Sequence, residues 1–558
     1  MKTRSPFVVA LLRVVALWLI AYIFAALYNS AFFSGIGWGG VALQLYASVL
    51  SYAFLWCCTH LKYAGLPLYM LCCALFSILA MANWEFGYDF VPDMVSVTLE
   101  TNTEEASAFF TVRSMCVFAG LMVLNWGLFE AFRRISRKLT AQWGKWGKIA
   151  CLAGMAACFG IVFMLPTIVF FRILGEESDV SARMVATLSD NTIRWNPFFH
   201  LDNERPPFEM MTRNYRKPFS HVQTLKKGLV EYFTDVEFDE SAAAPSREED
   251  PGKDIICVLA VGESIRADHL GLNGYARQTT PRLAGIPHLY SLSYMLSYGA
   301  ATDKSLCGIM TGLIADNSRL RSSFLSILRK HAYTCTYCTE NADDMSKTHR
   351  NKAIIGDYLN SVRSLKGSVA GVTGDFVRCL PESGKHFILF QNGTGHYPYK
   401  HDKEFCEYEG DASAAQLTND YDNCILSLDA MYSAMIAGLK DKNAVLIFCS
   451  DHAEGMGENG KWHHGDAPNP VLRRVASFIW FSDTFIECNP ELVNRIIAVK
   501  DKPMVQGQLF ATILKLCGIH SDTPLDIGDI VEDDIRKHPD NNLPFEIQQE
   551  LAAPQAAP

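Results

Sequence analysis

The feature that most constrains this chain is the crowding of its apolar residues into five long runs before residue 172, at about 7–28, 39–60, 66–83, 109–132 and 149–171. Each approaches or exceeds the ~18–20 residues an α-helix needs to cross the hydrocarbon core of a bilayer. Charges are nearly absent inside the runs, as lipid requires. Arg13 is the main exception, and it lies near enough to the start of its run to reach the headgroups. With 558 residues the chain is too long for one compact core, so at least two domains are expected. The first, residues 1–172, reads as an α-helical membrane domain of five transmembrane helices.

Charge between the runs sets an orientation. Lys2 and Arg4 precede the first run, Lys62 follows the second, and Arg133, Arg134, Arg137, Lys138, Lys145 and Lys148 follow the fourth. The loop at 84–108 has no Lys or Arg but carries Glu85, Asp89, Asp93, Glu100, Glu104 and Glu105. The basic loops therefore share the cytoplasmic face with the N-terminus, and an odd number of spans carries everything after about residue 172 to the other side. The first run is too long for a signal peptide and lacks an A-x-A-type site, which points to an uncleaved anchor. A formal net charge of −9 argues against nucleic acid as a partner.

Residues 173–250 read as a connector suited to the membrane interface or as a plain linker, and an acidic, Pro-containing stretch from Glu240 to Asp254 marks its end. From 251 to 535, apolar strand-like runs (255–261, 386–391, 443–449, 476–481) alternate with helix-like segments (319–331, 415–440, 505–518). That alternation predicts an α/β/α domain with a largely parallel sheet covered on both faces. The tail, 536–558, reads as disordered. Of the 17 cysteines, seven sit in or beside the apolar runs as small fillers. The other ten fall where disulfides are permitted, with Cys335–Cys338 and Cys406–Cys424 as candidate pairs and a zinc knuckle at Cys335 and Cys338 as the weaker alternative.

Ligands of such sheets collect beyond the carboxyl ends of strands. Glu263 ends the first strand, His396 follows the strand at 386–391 after a Gly393-Thr394-Gly395 turn, and Asp451-His452 follows the strand at 443–449. Thr302, after small residues and before a helix-like run, sits where helix amide groups favour phosphate, although a simple N-cap threonine would look the same. A hydroxyl with Glu, Asp and His on separate strand ends is the makeup of a metal-assisted phosphoryl-transfer site. Ser305 is a competing hydroxyl. His396 and His464 are candidates for a second metal, a phosphate oxygen or general acid chemistry, whereas His463 reads as a loop histidine.

The segment Val261-Gly262-Glu263-Ser264-Ile265-Arg266-Ala267-Asp268-His269, followed by Leu272-Asn273-Gly274-Tyr275, resembles the opening signature of the phosphoethanolamine transferases, which include lipid A-modifying and colistin-resistance enzymes. Ser450-Asp451-His452-Ala453-Glu454-Gly455-Met456-Gly457-Glu458-Asn459-Gly460 with His464-Gly465 resembles their second metal-binding stretch, Gly395-His396 and Tyr421-Asp422-Asn423 match as well, and Glu100-Thr101 to Glu105 resembles their donor loop. The resemblance implies an alkaline-phosphatase-like fold, Thr302 as nucleophile, and Zn2+ held by Glu263, Thr302, Asp451 and His452, with a possible second ion. It implies that His396 and His464 serve the substrate and that Thr101 and Glu105 face the donor headgroup. Phosphoethanolamine would pass from phosphatidylethanolamine to lipid A, a core sugar or another envelope glycan through a phospho-threonine, releasing diacylglycerol. The setting would be the inner membrane of a Gram-negative bacterium, with a periplasmic catalytic domain and a monomeric chain. Tyr298 stands where that family has a cysteine, so its usual disulfide around the nucleophile is expected to be missing, and Val97 and Ala453 are further departures. A lipoteichoic-acid-synthase-like phosphoglycerol transferase, which favours Mn2+, and an inactive scaffold on the same fold are the alternatives.

Overall fold

The computed structural model describes residues 6–27, 38–86, 112–141, 143–147, 149–155, 157, 237–239, 246–248, 254–312, 319–321, 323–339, 354–409, 413–458, 462–464, 470–521 and 528–535. By internal contacts the chain divides into two compact units, one holding the apolar helices and one holding residues from Gly228 onward.

In the first unit, α1 (Pro6–Leu27), α2 (Trp38–His60), α3 (Gly65–Phe86) and α4 (Val112–Thr140) follow the first four apolar runs. They pack around Leu17, Phe24, Leu55, Tyr69, Phe76 and Phe132, while Phe7, Leu11, Leu19, Leu71 and Val123 are exposed. Apolar side chains on the outside as well as the inside are what a lipid solvent demands of a helix bundle. Among the described residues, α1 from Phe7 and α4 are long and apolar enough to cross a membrane, and Gly65–Ile78 is a shorter apolar stretch. The guanidinium of Arg13 donates to the carbonyl of Lys138 at 3.0 Å. Of the fifth run, 149–155 and 157 lie among the described residues, and they are helical.

The second unit is built on seven strands: β1 (Ile255–Gly262), β2 (Leu289–Ser291), β3 (Thr334–Thr339), β4 (Ser361–Ser364), β5 (Lys385–Gln391), β6 (Ala444–Ser450) and β7 (Ser477–Phe481). Their order is β2-β7-β6-β1-β5-β3-β4, with β6, β1, β5, β3 and β4 mutually parallel and β7 antiparallel to both neighbours. Side chains of β1 alternate between two cores. Cys257, Leu259 and Val261 join α5 (Thr302–Thr311), α6 (Phe324–Lys330), α10 (Pro490–Val499, after α9, Asp483–Cys488) and α11 (Gln508–Leu516). Ile256, Val258 and Ala260 join α7 (Val369–Arg378) and α8 (Ser413–Leu439). The α/β/α layering follows from this period of two on a strand buried on both faces. In α8, the core residues Tyr421, Cys424, Ile425, Leu428, Tyr432, Met435 and Leu439 recur at helical spacing.

Three expectations change. The segment 319–331 is not one helix. Arg319–Arg321 is a strand parallel to Glu237–Asp239, and α6 starts after Ser323, whose hydroxyl caps Leu325 N at 3.3 Å. In 505–518, Met504–Val505 pairs with Met295–Leu296 before α11 begins. Within the expected connector, Glu237–Asp239 and Ser246–Glu248 are strands of the second unit, the latter pairing with Ile519–Ser521. The tail from 536 lies outside the described residues. All ten cysteines after residue 254 carry free thiols. Cys335 and Cys338, three apart on β3, point to opposite cores and cannot bridge. Cys406 is exposed while Cys424 is buried, its thiol donating to the carbonyl of Lys400 at 3.2 Å. Alkylation of unreduced, denatured protein followed by peptide mass spectrometry is expected to label Cys335, Cys338, Cys406 and Cys424 completely. A peptide linked through any of them would overturn this assignment.

Candidate metal and nucleophile site

The strand register brings the site together. Gly262 of β1 lies beside Ser450 of β6, and Val261 lies beside Gln391 of β5. The three chains therefore leave the sheet side by side, and Glu263, the 392–396 turn and Asp451-His452 emerge on one rim. Two further backbone bonds continue the sheet past its edge, Asp451 N to Gly262 O at 3.0 Å and Asn392 N to Val261 O at 3.3 Å. Gly395, at φ +105°, lies against β1's exit, where a side chain would come within 2.5 Å of the Glu263 carbonyl. Ser264 takes a left-handed φ of +62°, rare for a residue with a side chain. The turn is fixed on both sides, since Ser264 N donates to Asp451 Oδ1 at 3.1 Å and Ser264 Oγ donates to Glu263 Oε1 at 3.0 Å.

Thr302 is the first residue of α5 rather than its N-cap, which is Ala301. Its hydroxyl donates to Asp451 Oδ2 at 2.7 Å and lies 3.3 Å from Glu263 Oε2. His452 donates from Nδ1 to its neighbour's carbonyl, Ala453 O, at 3.0 Å. Its Nε2 is buried without a hydrogen-bond partner, 3.3 Å from Glu263 Oε1 and 3.4 Å from Asp451 Oδ2. A ring nitrogen and two carboxylates turned toward one point form a donor set that a divalent cation satisfies by displacing the proton from that nitrogen. The ligand atoms of Glu263, His452 and His464 all lie within 4.8 Å of one another, so His464 gathers at the same point. Burial pushes the Asp451 carboxyl up, and the charge of Glu263 adds to it, to about 7. Burial disfavours the charged His452, but the Asp451 and Glu263 carboxylates outweigh it and raise the imidazole to about 10. Against the same burial, His452 holds Glu263 below the usual carboxylate range.

Ser305 stands apart from this chemistry. It is buried, and its hydroxyl accepts Gly299 N at 3.2 Å. His396 donates from Nδ1 to Tyr397 O at 2.8 Å and stands edge-on to His464, with ring centroids 5.3 Å apart. Thr101 and Glu105 lie outside the described residues. Glu454, a fully buried carboxylate, organises the histidines: its Oε2 accepts His464 Nδ1 at 2.9 Å and its Oε1 accepts His463 Nδ1 at 3.1 Å and the Tyr399 hydroxyl at 2.7 Å. His463 is thereby part of a buried network rather than a solvated loop residue. Nothing in the spacing of Glu454 distinguishes it from the half-buried Glu458 nearby, and only its place within the quoted motif marked it.

Arg266 anchors the underside. Its guanidinium binds Asp268 at 2.7 Å, Glu458 and the carbonyl of Glu454 at 3.1 Å, and its backbone N–H donates to the Tyr421 hydroxyl at 2.9 Å. Tyr421 in turn donates to Ser264 O at 2.7 Å. Asp422, next on α8, accepts from His269, Tyr275 and Arg277, so the start of the motif is tied to α8. Burial opposes ionisation of Asp268 and Glu458, but Arg266 prevails and holds both below their ordinary values. A depressed carboxyl stabilises the fold above its unfolded pKa and loses that contribution as pH falls. Thermal melts from pH 5.5 to 3 are therefore expected to drop more steeply for the native protein than for Arg266→Leu, and parallel slopes would refute the coupling.

Residues 256–519 match the sulfatase family. The chain is 27% identical over 308 residues to Kdo(2)-lipid A phosphoethanolamine 7''-transferase of Salmonella typhimurium, covering 48% of this chain and 53% of that protein. It is 26% identical over 354 residues to phosphatidylethanolamine transferase Mcr-1 of Escherichia coli, covering 56% of this chain and 63% of that protein. In these matches the chain spans between about half and two thirds of the relatives' length. Its fold is similar to that of the integral membrane lipooligosaccharide phosphoethanolamine transferase A from Neisseria meningitidis, with a TM-score of 0.64 at 18% identity over 92% of this chain and 98% of that one.

Proposed function

From a chain related to the phosphoethanolamine transferases, with a sulfatase-type domain on an alkaline-phosphatase-like fold and a membrane region before it, we propose a membrane-anchored enzyme that moves phosphoethanolamine from phosphatidylethanolamine to lipid A or another envelope glycan. Five spans within residues 1–172 would carry the catalytic domain, residues 251–535, to the periplasmic face of the inner membrane, and Thr101 and Glu105 would meet the donor headgroup. The observation that carries the reading is the Thr302 hydroxyl at 2.7 Å from Asp451 and 3.3 Å from Glu263, at the start of a ten-residue helix.

The donor set fits Zn2+, with the orphaned His452 Nε2 as the deciding atom, and Glu263, Thr302, Asp451 and His452 would hold it. When bound, zinc supplies Lewis acidity that favours the alkoxide of Thr302 and offsets charge on the phosphoryl oxygens. Thr302 Oγ attacks phosphorus as its proton leaves toward Asp451 Oδ2. The new O–P bond makes phospho-threonine, and the bond from phosphorus to the glycerol oxygen breaks. Glu454 fixes His464 with its proton on Nδ1, leaving the Nε2 lone pair to take on the proton shed by Thr302 and pass it to the diacylglycerol alkoxide. In the second half the acceptor's hydroxyl oxygen attacks phosphorus, the bond from phosphorus to Thr302 Oγ breaks, and the proton the acceptor loses returns to Thr302 Oγ.

Purified full-length protein incubated with head-group-labelled phosphatidylethanolamine is expected to carry the label on Thr302. Thr302→Ala, folded and zinc-loaded, is expected to carry none and to lose turnover by about 10⁴-fold or more, as nucleophile deletions do. Label retained in that variant, or label taken up from phosphatidylglycerol instead, would refute the assignment.

A further inference from the structure

We propose that Gln506 is a positioning residue for Thr302: its side-chain amide fastens the loop that carries the nucleophile to the loop that carries the metal ligands. Gln506 follows the short strand Met504–Val505, and its backbone N–H donates to Leu296 O at 3.0 Å. Its side chain is completely buried. Oε1 accepts Tyr298 N at 2.8 Å, four residues before the nucleophile. Nε2 donates to Ser450 O and to Asp451 O, both at 2.7 Å. One carboxamide thus uses its acceptor on one loop and both N–H groups on the other. Glutamate could keep the first bond but not the other two, and methionine could keep none.

The attachment acts at one point because the rest of the Thr302 loop is already stiff. Arg473 Nη1 donates to Tyr298 O, Ser297 Oγ donates to Gly299 O at 2.7 Å, and the Tyr298 side chain lies on Gly308 of α5, where any side chain would come within 2.6 Å of it. Ser297 Oγ also lies 3.2 Å from Leu472 O, which accepts Ala453 N, so Gln506 is one of two links between the loops and the one that bonds the Asp451 backbone itself. The Thr302–Asp451 contact is the distance so set, and a displacement of about 1 Å at a reacting atom costs on the order of 10²-fold in rate. The catalytic part of the inference rests on the function proposed above; the structural part does not.

The test uses full-length Gln506→Met and Gln506→Glu, with Ser482→Ala as a control. Ser482 is buried at the opposite end of β6, where its hydroxyl accepts Ala444 N and Phe485 N. Three quantities are read: bound zinc, hydrogen exchange of the 297–302 amides with and without metal, and single-turnover labelling of Thr302. Gln506→Met is expected to keep wild-type zinc, to expose the Tyr298 amide to exchange, and to slow labelling about 10²-fold with the lipid KM unchanged. Gln506→Glu, which can accept Tyr298 N but donate to neither carbonyl, is expected to slow labelling while keeping wild-type zinc and the Tyr298 amide protected. Ser482→Ala is expected to lower Tm while keeping exchange and labelling at wild-type values. Wild-type exchange in Gln506→Met, or zinc and rate falling together in both Gln506 variants, would overturn the proposal. If the native protein takes no label, the proposed function fails and exchange alone decides the role of Gln506.

Discussion

Two carboxylates, Glu263 and Asp451, are forced together at the end of adjacent parallel strands, with one imidazole, His452, between them. The dependence runs outward from that crowding. Buried like charges repel, and the conflict shows in Asp451, which is pushed up to about 7, and in His452, which is raised to about 10 to compensate. A cation would relieve the same conflict without a proton. The left-handed Ser264, the Glu454 clamp on two histidines and the Arg266 network are what keep the groups from relaxing apart.

Register does the remaining positioning. Because β5, β1 and β6 pair residue for residue up to Gln391, Val261–Gly262 and Cys449–Ser450, the loops that follow leave from one level. A slip of one residue would turn the two-core alternation of β1 inside out. The cores thus determine the level at which Glu263 and Asp451 emerge. α5 then has only to bring Thr302 to that rim, and its position is fixed by contacts with α11 and with the strand Arg319–Arg321 rather than by a cap of its own.

Much of this was legible in the residues. Runs such as 255–261 and 443–449 are apolar throughout because both sides of the strand are covered, and their polar successors mark the rim. Glu263, Thr302, Asp451 and His452 could be named because each follows such a run or opens a helix, and the coordinates bring them together. What could not be read depends on tertiary partners. Short strands such as Arg319–Arg321 and Met504–Val505 carry no periodicity of their own and exist because a neighbour pairs with them. Gln506 is an ordinary polar residue whose importance lies in what folding puts beside it, and Glu454 and Asp422 were marked by the quoted motifs without any sign of their partners. The Cys335–Cys338 spacing suggested a bridge only until the strand assigned the two side chains to opposite faces.

The thiol state of the second unit has a consequence for what holds the nucleophile. With its ten cysteines unlinked, the loop around Thr302 is held by Gln506, Arg473, Ser297 and the seat of Tyr298 on Gly308, all of them reversible contacts. A hold of this kind contains no sulfur–sulfur bond for a reductant to cleave.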